Sequence, residues 1–346
     1  LWFASRKGVL GTLDMQTEKV ATVQLEPIGN SFSTAEDGGV YVVSDGALYR
    51  FTLGVDGAPV QRWRRAYGNT GETKPGQTQA GSGTTPTLMA RRLVAITDNA
   101  DPMNVVVYTR GGREVCKVPV FAPGASDTDQ SLIAVGRSLI VENNYGYASP
   151  LATENGATTT PGLTRVDVAR DLRSCAPVWT SNEIAPSVVP KVSIPNGLVY
   201  TYTKPAGDGD PWYLTALDFR TGKTIYKARA GSGLGFNNNY APVTIGPDGT
   251  AYVGVLGGLV ALRDGSPPSQ PAGGEAPRLR LAGCRRHPRL AGRDTDWVRR
   301  RSFKRRRGGR VVARIELTDG RVVRRARRLP RRCVSGSSRR RAATGG

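Results

Sequence analysis

Gly39-Val40-Tyr41-Val42-Val43, Ala47-Leu48-Tyr49-Arg50-Phe51 and Gln61-Arg62-Trp63, introduced by Ile28-Gly29-Asn30-Ser31, form the stretch that decides the fold. Each run is short, rich in β-branched and aromatic residues, and bounded by turn formers, the pattern of successive strands joined by tight turns. The unit returns four times. A second copy runs through 81–87, 93–96 and 105–108 to 115–118, and a third through 130–132, 138–141 and 163–166 to 177–179. A fourth takes in 189–191, 197–200, 214–218 and 223–226, and a fifth 240–243, 250–253 and 258–262. No segment carries the i, i+3, i+4, i+7 pattern of an amphipathic helix, so the reading is all-β.

A four-stranded sheet cannot bury both of its faces alone. Copies repeating about every fifty residues suit sheets stacked radially as a β-propeller. About five four-stranded repeats are visible, plus a partial one: Leu1-Trp2-Phe3-Ala4-Ser5 and 8–14 align with the second and third strands of a unit. The fifth copy stops before a fourth strand. The expectation is therefore a propeller over 1–264 that begins inside a blade, with further blades upstream.

Charge divides the chain at the same place. Residues 1–270 hold 24 Lys+Arg against 23 Asp+Glu, whereas 271–346 hold 25 against 5. A neutral body thus carries a basic tail. The Pro/Gly-rich stretch 265–277 reads as a linker, 278–335 as a small Arg-rich β domain, and 336–346 as a disordered tail. Within the domain, 313–317, Thr318-Asp319-Gly320 and 321–324 read as a hairpin, with Trp297, Val298 and Phe303 available for a thin core; an immunoglobulin-like sandwich closed by Cys284 and Cys333 is expected, with partial disorder as the alternative. Cys116 and Cys175, at similar places in neighbouring repeats, are the second candidate bridge, with free buried thiols as the alternative.

Composition excludes several chemistries. The single histidine, His287, lies in the basic tail, so 1–270 can build no Ser/His/Asp triad, Cys/His pair or His-based zinc site. No C-x-x-C spacing occurs, which removes zinc ribbons and thioredoxin-like centres. No stretch approaches the ~18 apolar residues of a membrane-spanning helix. A signal peptide is missing from this stretch of chain, yet the cysteines point to a secreted or envelope-associated protein.

The run Leu214-Thr215-Ala216-Leu217-Asp218-Phe219-Arg220-Thr221-Gly222-Lys223-Thr224-Ile225-Tyr226 resembles the A-x-D-x-x-T-G-K-x-x-W repeat of quinoprotein-like (PQQ-like) β-propellers, with Tyr226 in place of the docking tryptophan. Trp63 and Trp179 hold the equivalent strand end in two other units. Residues 1–264 also resemble a group of secreted bacterial propellers through 81–87, 96–102, 141–145 and 237–240. Catalytic quinoproteins of this fold hold calcium and pyrroloquinoline quinone through a Glu, an Asn and an Asp beside a stacking Trp, often with a disulfide between adjacent cysteines. Here no cysteines are adjacent. Only Glu142-Asn143-Asn144 with Asp98 or Asp101 imitates the metal set, and no tryptophan is an obvious partner, so PQQ is disfavoured.

The residues themselves mark one candidate region. Ser82, Thr84, Thr85, Lys191, Asn237, Asn238 and Asn239 precede or open first strands, while Asp98, Asn99, Asp101, Glu142, Asn143 and Asn144 follow second strands. In an up-and-down blade these positions meet at one mouth of the channel. Each is singly explicable as turn or interblade structure. Together they suit a small molecule or glycan (Ser82, Thr84, Thr85, Asn99, Asn143, Asn144, Lys191, Asn237, Asn238, Asn239) or calcium (Asp101, Glu142, Asn144). Asp98 and Glu142 are the candidate acid/base pair of a hydrolase or lyase. The favoured reading is a ligand-binding or envelope-associated scaffold, with a propeller enzyme as the alternative. Runs such as Arg299-Arg300-Arg301 and Lys304-Arg305-Arg306-Arg307 suit an anionic envelope polymer through a salt-sensitive contact, unless the arginine bias is compositional only. Nothing resembles a recognition helix or a base-stacking sheet, so specific nucleic acid binding is disfavoured.

Overall fold

The computed structural model describes residues 1–263, 279–283, 288–292, 298–306, 310–317 and 322–331. The chain divides into two compact units, Leu1–Asp264 and Gly265–Gly346.

The described residues of the first unit form six antiparallel sheets and no α-helix. The first sheet is β1 (Trp2–Ala4), β2 (Val9–Leu13) and β3 (Val20–Gln24). The second is β4 (Ser33–Thr34), β5 (Val40–Val43), β6 (Ala47–Leu53) and β7 (Pro59–Ala66), and the third β8 (Thr87–Met89), β9 (Leu93–Thr97), β10 (Asn104–Thr109) and β11 (Glu114–Pro119). The fourth comprises β12 (Ile133–Val135), β13 (Ser138–Glu142), β14 (Leu163–Val168) and β15 (Cys175–Ser181); the fifth comprises β16 (Lys191–Ser193), β17 (Leu198–Thr203), β18 (Pro211–Asp218) and β19 (Thr224–Ser232). The last has β20 (Val243–Ile245), β21 (Ala251–Val255) and β22 (Gly258–Leu262). Every sheet is a meander in which sequence neighbours pair.

Core composition shows how the sheets stack. Leu10 packs with Val42 and Tyr49; Tyr41 and Leu48 pack with Val94, Val106 and Tyr108; Leu93 and Val105 pack with Leu139 and Val166. Ile140 and Leu163 continue the series with Val199 and Leu217, then Val243 and Val253. Each of the four inner sheets therefore presents its two faces to the sheets before and after it. That explains why β5, β9 and β13 are buried at every residue and read as unbroken apolar runs rather than alternating ones. The first strands approach one another in the same order, β8 on β12, β12 on β16 and β16 on β20. The architecture is all-β and propeller-like.

One position of the last strand ties the second, third and fourth sheets each to the sheet that follows. Trp63 pairs with Arg50, Cys116 with Val107, Trp179 with Arg165 and Tyr226 with Ala216, and a β-bulge follows each pair immediately. A bulge re-aims the side chain beside it. Trp63 Nε1 donates to Arg110 O (2.9 Å), and Trp179 Nε1 to Phe219 O (2.9 Å), in each case on the β-turn joining the last two strands of the following sheet. Gly112 (φ +85°) and Gly222 (φ +70°) lie under the two indole rings; a Cβ at Gly112 would stand 2.9 Å from Trp63. The Asp218-x-x-Thr221-Gly222 motif thus has a structural account. Asp218 Oδ1 accepts from the amides of Arg220 (2.9 Å) and Thr221 (2.8 Å), which shapes the turn on which Trp179 rests. At the intervening junction the docking residue is Cys116, and its disulfide to Cys175 (Cα–Cα 5.8 Å) ties the third sheet to the fourth where an indole ties the others. Tyr226, the fourth such residue, is 41% exposed, and the three-stranded sheet that follows it has no fourth strand among the described residues.

In the second unit, β23 (Leu279–Gly283) pairs with β24 (Pro288–Gly292), and β25 (Val298–Arg305), β26 (Arg310–Leu317) and β27 (Val322–Arg328) form a three-stranded sheet. Leu281, Leu290, Val311, Ala313, Ile315 and Leu329 make its small core, with Phe303 packed against it. Cys284, Cys333, His287, Trp297, the 265–277 linker and the 336–346 tail lie outside the described residues.

Candidate ligand-binding end of the sheets

Because neighbouring strands are antiparallel, the segments entering first strands and those leaving second strands lie at one end of the sheets. Hydrogen bonds knit these segments across sheet boundaries. Asn99 Nδ2 donates to Asn69 Oδ1 (2.9 Å) and Glu72 O (2.9 Å); Gln130 Nε2 donates to Ser187 O (2.9 Å); Asn144 Nδ2 reaches Pro186 O (3.0 Å). Tyr147 OH donates to Asn237 Oδ1 (2.8 Å), its ring edge-on to Tyr240, and Tyr240 OH donates to Gly76 O (3.2 Å), 164 residues away in sequence.

Most of the candidate residues spend their polar groups inside this lattice. Ser82 Oγ and Thr84 Oγ1 bond each other (2.7 Å), Thr84 Oγ1 also accepts from the Thr97 amide, and half-buried Thr85 gives its amide to Ser131 Oγ. Asn143 fills all its capacity: Oδ1 accepts from Asp127 N and Tyr145 N, and Nδ2 donates to Ala125 O and Pro161 O. Asn144 does the same, with Oδ1 accepting from Thr128 Oγ1 (3.0 Å) and Asp129 N (2.9 Å) and Nδ2 donating to Glu142 Oε1 (2.8 Å) as well as to Pro186 O. Asn237 and Asn238 are buried and likewise tied down, the latter to Ser187 O and Ala241 O. Asn239 is exposed, with Oδ1 receiving Tyr147 OH (3.2 Å), and Lys191 is exposed at the start of β16.

The acidic candidates fall into distinct environments. Asp98 is fully buried, and Asn104 satisfies both its oxygens, the amide on Oδ1 (2.7 Å) and Nδ2 on Oδ2 (2.8 Å). Burial raises its pKa, and the Asn104 bonds oppose the rise. Asp101 is exposed and accepts from Gly124 N (2.7 Å). Glu142 is buried; burial pushes its carboxyl well above the usual range, opposed by the Asn144 bond to Oε1 and by the nearby Val188 amide. The set read as a calcium site is thus split between a surface carboxylate, a buried one and an amide already saturated. Among the described residues, no three His, Cys, Asp or Glu side chains converge to hold a metal. Trp212 is buried against Tyr202 in a stacked pair. Asn144 has no free donor oxygen and Asp98 is fully buried with both oxygens engaged by Asn104, so these residues do not fit the calcium–quinone group of catalytic quinoproteins.

The residue with the most unused capacity is one that the sequence reading passed over. Asp127 is fully buried and neither carboxyl oxygen has a hydrogen-bond partner among the described residues. Burial pushes its pKa up to about 8; the Lys74 ammonium pulls it down and the Asp129 carboxylate adds to the rise. Lys74 Nζ donates to Ala100 O and to Ser126 O (3.2 Å), and burial lowers its own pKa. Gly76 closes over the carboxyl: a Cβ there would stand 2.5 Å from Asp127 Oδ1. Asp129 offers Oδ1 in the same unpartnered state while its Oδ2 receives Thr78 Oγ1 (3.1 Å), and burial raises its pKa too. Asn99 Oδ1 and Asp45 Oδ1 are likewise unpartnered, on other segments at this end. A sequence signal existed. Ser126-Asp127-Thr128-Asp129 precedes the first strand of its unit, where the other units carry the Ser/Thr and Asn runs already noted.

No family model matches the chain. It is 31% identical over 269 residues to an uncharacterised protein of Archaeoglobus fulgidus, a match covering 68% of this chain and 52% of that one, so the chain spans about half the length of its curated relative. Among solved structures it is similar to a quinohemoprotein alcohol dehydrogenase from Comamonas testosteroni, with TM-score 0.50, 12% identity and coverage of 73% of this chain and 49% of the other. A functionally unknown protein from Desulfotomaculum acetoxidans aligns over 93% of both chains at TM-score 0.46 and 12% identity. At these identities the likeness to the dehydrogenase is one of fold.

Proposed function

We propose that the first unit is an extracytoplasmic, PQQ-like propeller scaffold that binds a small polar ligand at the end where the first strands begin, with the Asp127 carboxyl as its central anchor. One observation carries this reading: both carboxyl oxygens of fully buried Asp127 lack a hydrogen-bond partner among the described residues, and Asp129, Asn99 and Asp45, on segments at the same end, each leave one oxygen in that state. A buried acceptor without a donor costs about 1–3 kcal/mol, so a ligand that brings donors is favoured. Sugar hydroxyls meet the requirement, which makes a neutral glycan the preferred class. Asn99 takes part through its free Oδ1; Asn143, Asn144, Asn237 and Asn238 shape the site and leave its oxygens exposed to the ligand rather than touching it themselves. The segment 68–86, which carries Lys74 and Gly76, covers Asp127 and closes over the bound ligand. The basic second unit, a separate domain after a Pro/Gly linker, holds the protein on an anionic envelope polymer.

An array of neutral and anionic oligosaccharides tests this. The expected result is saturable binding of a neutral glycan, weakened about 2–10-fold by Asp127→Asn, since a hydrogen bond between neutral groups contributes ~0.5–1.5 kcal/mol. No retained glycan, or equal binding by the variant, would refute it. An acid/base enzyme is the second reading, favoured by an Asp127 that keeps its proton at neutral pH. It predicts turnover of the retained glycan that is lost in Asp127→Asn or Glu142→Gln.

A further inference from the structure

Three strands of the second unit carry a graded pattern of charge. On β25–β27 the residues alternate between faces, and Val311, Ala313 and Ile315 turn inward to the core. The opposite face is arranged in rungs by the strand register. One rung holds Arg310 beside Arg328, the next Lys304 beside Val312 and Ala326, and the third Ser302 beside Arg314 and Arg324. Ser302, Lys304, Arg306, Val312, Arg314 and Arg324 line a depression of about 190 Å³ on this face. Its four cationic side chains are all exposed, and no carboxylate lines it. Like charges directly opposite one another on a sheet are destabilising, and Arg314–Arg324 and Arg310–Arg328 are two such pairs. The fold gains nothing from them.

We infer that this face is a binding track for a linear phosphodiester polymer of alditol type, laid along the strands with successive phosphates on successive rungs. This rests on the reading that the basic unit contacts an anionic polymer, and it names the polymer's chemistry. Spacing is the first argument. Rungs recur every two residues, about 6.8 Å in antiparallel strands, and a phosphodiester with a three-carbon spacer repeats after as many backbone bonds as two residues of extended chain. Residue type is the second. Of the 25 cations in 271–346, 24 are arginine, whose planar fork takes two phosphate oxygens at once. The third argument sets nucleic acid aside: single-strand binders stack bases on aromatic rings, and the described lining of this face has none.

The test uses the full chain and a fluorescent poly(glycerol phosphate) twelve-mer followed by anisotropy, with inorganic phosphate, poly-glutamate and oligo-dT of equal charge as comparison probes. At about −0.7 in log–log slope per phosphate, three phosphates on three rungs give a slope near −2, so affinity falls about 20-fold between 50 and 200 mM salt. Arg314→Gln/Arg324→Gln lowers the slope by about a third and weakens binding at least ~10-fold, whereas Arg301→Gln/Arg331→Gln, of equal charge but off this face, leaves it within ~2-fold. Inorganic phosphate competes only at millimolar concentration. Tighter binding of oligo-dT, or equal loss in the two double variants, would overturn the assignment. Binding of poly-glutamate but not poly(glycerol phosphate) would overturn it while sparing the polymer-contact reading, and binding of neither would end both.

Discussion

Replacing Asp127 by Asn should make the protein more stable, and increasingly so as pH rises. In the folded protein the carboxyl titrates at about 8 against 3.8 for the ordinary side chain. The raised value means that the folded state favours the neutral form. Its contribution is fully present below about pH 4, declines as the unfolded chain ionises and the folded one does not, and is lost once pH passes 8. That difference corresponds to about 6 kcal/mol at pH 9, about 3 kcal/mol at pH 6 and under ~1 kcal/mol at pH 4. Entry of water or closer approach of Lys74 would reduce these figures, which are upper bounds. An Asn side chain keeps the shape and never ionises. Urea unfolding of both proteins at pH 4, 6 and 9, followed by tryptophan fluorescence, reads the effect. The raised carboxyls of Asp45, Asp98 and Glu142 are common to both proteins and cancel in the difference, whereas Asp129, coupled to Asp127, is relieved in the variant and adds to its gain. Stability curves of the Asp127→Asn variant and the parent that stay parallel from pH 4 to 9 would refute the reasoning, because they would mean that Asp127 is solvated or paired.

Three further outcomes follow from the packing. Trp179→Ala should cost about 3–5 kcal/mol in the same unfolding assay, since a buried indole and its bond to Phe219 O are lost, whereas Tyr226→Ala at the equivalent but more exposed position should cost about 1 kcal/mol. Cys116→Ser/Cys175→Ser should lower stability by about 4 kcal/mol, the chain-entropy value for a closed loop spanning 59 residues, with reducing agent producing the same drop in Tm for the parent and none for the variant. Asn144→Ala should cost about 2–4 kcal/mol because it strands Glu142 Oε1, the Asp129 amide and Pro186 O together; a near-neutral change would mean that the residue is reserved for a ligand after all.

The fold was legible because its signals are local and repeated. Trp63 and Trp179 mark equivalent strand ends, and the Asp218-x-x-Thr221-Gly222 turn announces the surface that receives Trp179. Cys116 and Cys175 do pair, but not from equivalent places: Cys116 stands where the other sheets place an aromatic, a position held in the fourth sheet by Trp179, while Cys175 opens that strand opposite Val168. The candidate site was legible as a region but not residue by residue. A sequence shows that Asn143 and Asn144 are polar and lie near a strand end. It does not show that four backbone and side-chain partners from three segments will use up each amide. Asp127 presents the converse case. It looks like any acidic loop residue until the chain brings Gly76 and Lys74 over it, and that contact joins positions about fifty apart. Residual hydrogen-bonding capacity is a property of the assembled end, not of the letters.

On the reading proposed above, the end of the sheets that carries the unpartnered buried oxygens receives a hydrogen-bond-donating ligand. Amide hydrogen exchange of the full chain, with and without a saturating neutral oligosaccharide taken from the array, locates that ligand without relying on any substitution. Slowed exchange is expected in 68–86 and 126–147, with the segment around Tyr240 protected alongside them and β1–β3 unchanged. Protection confined to other segments, with 68–86 and 126–147 exchanging as before, would contradict the reading.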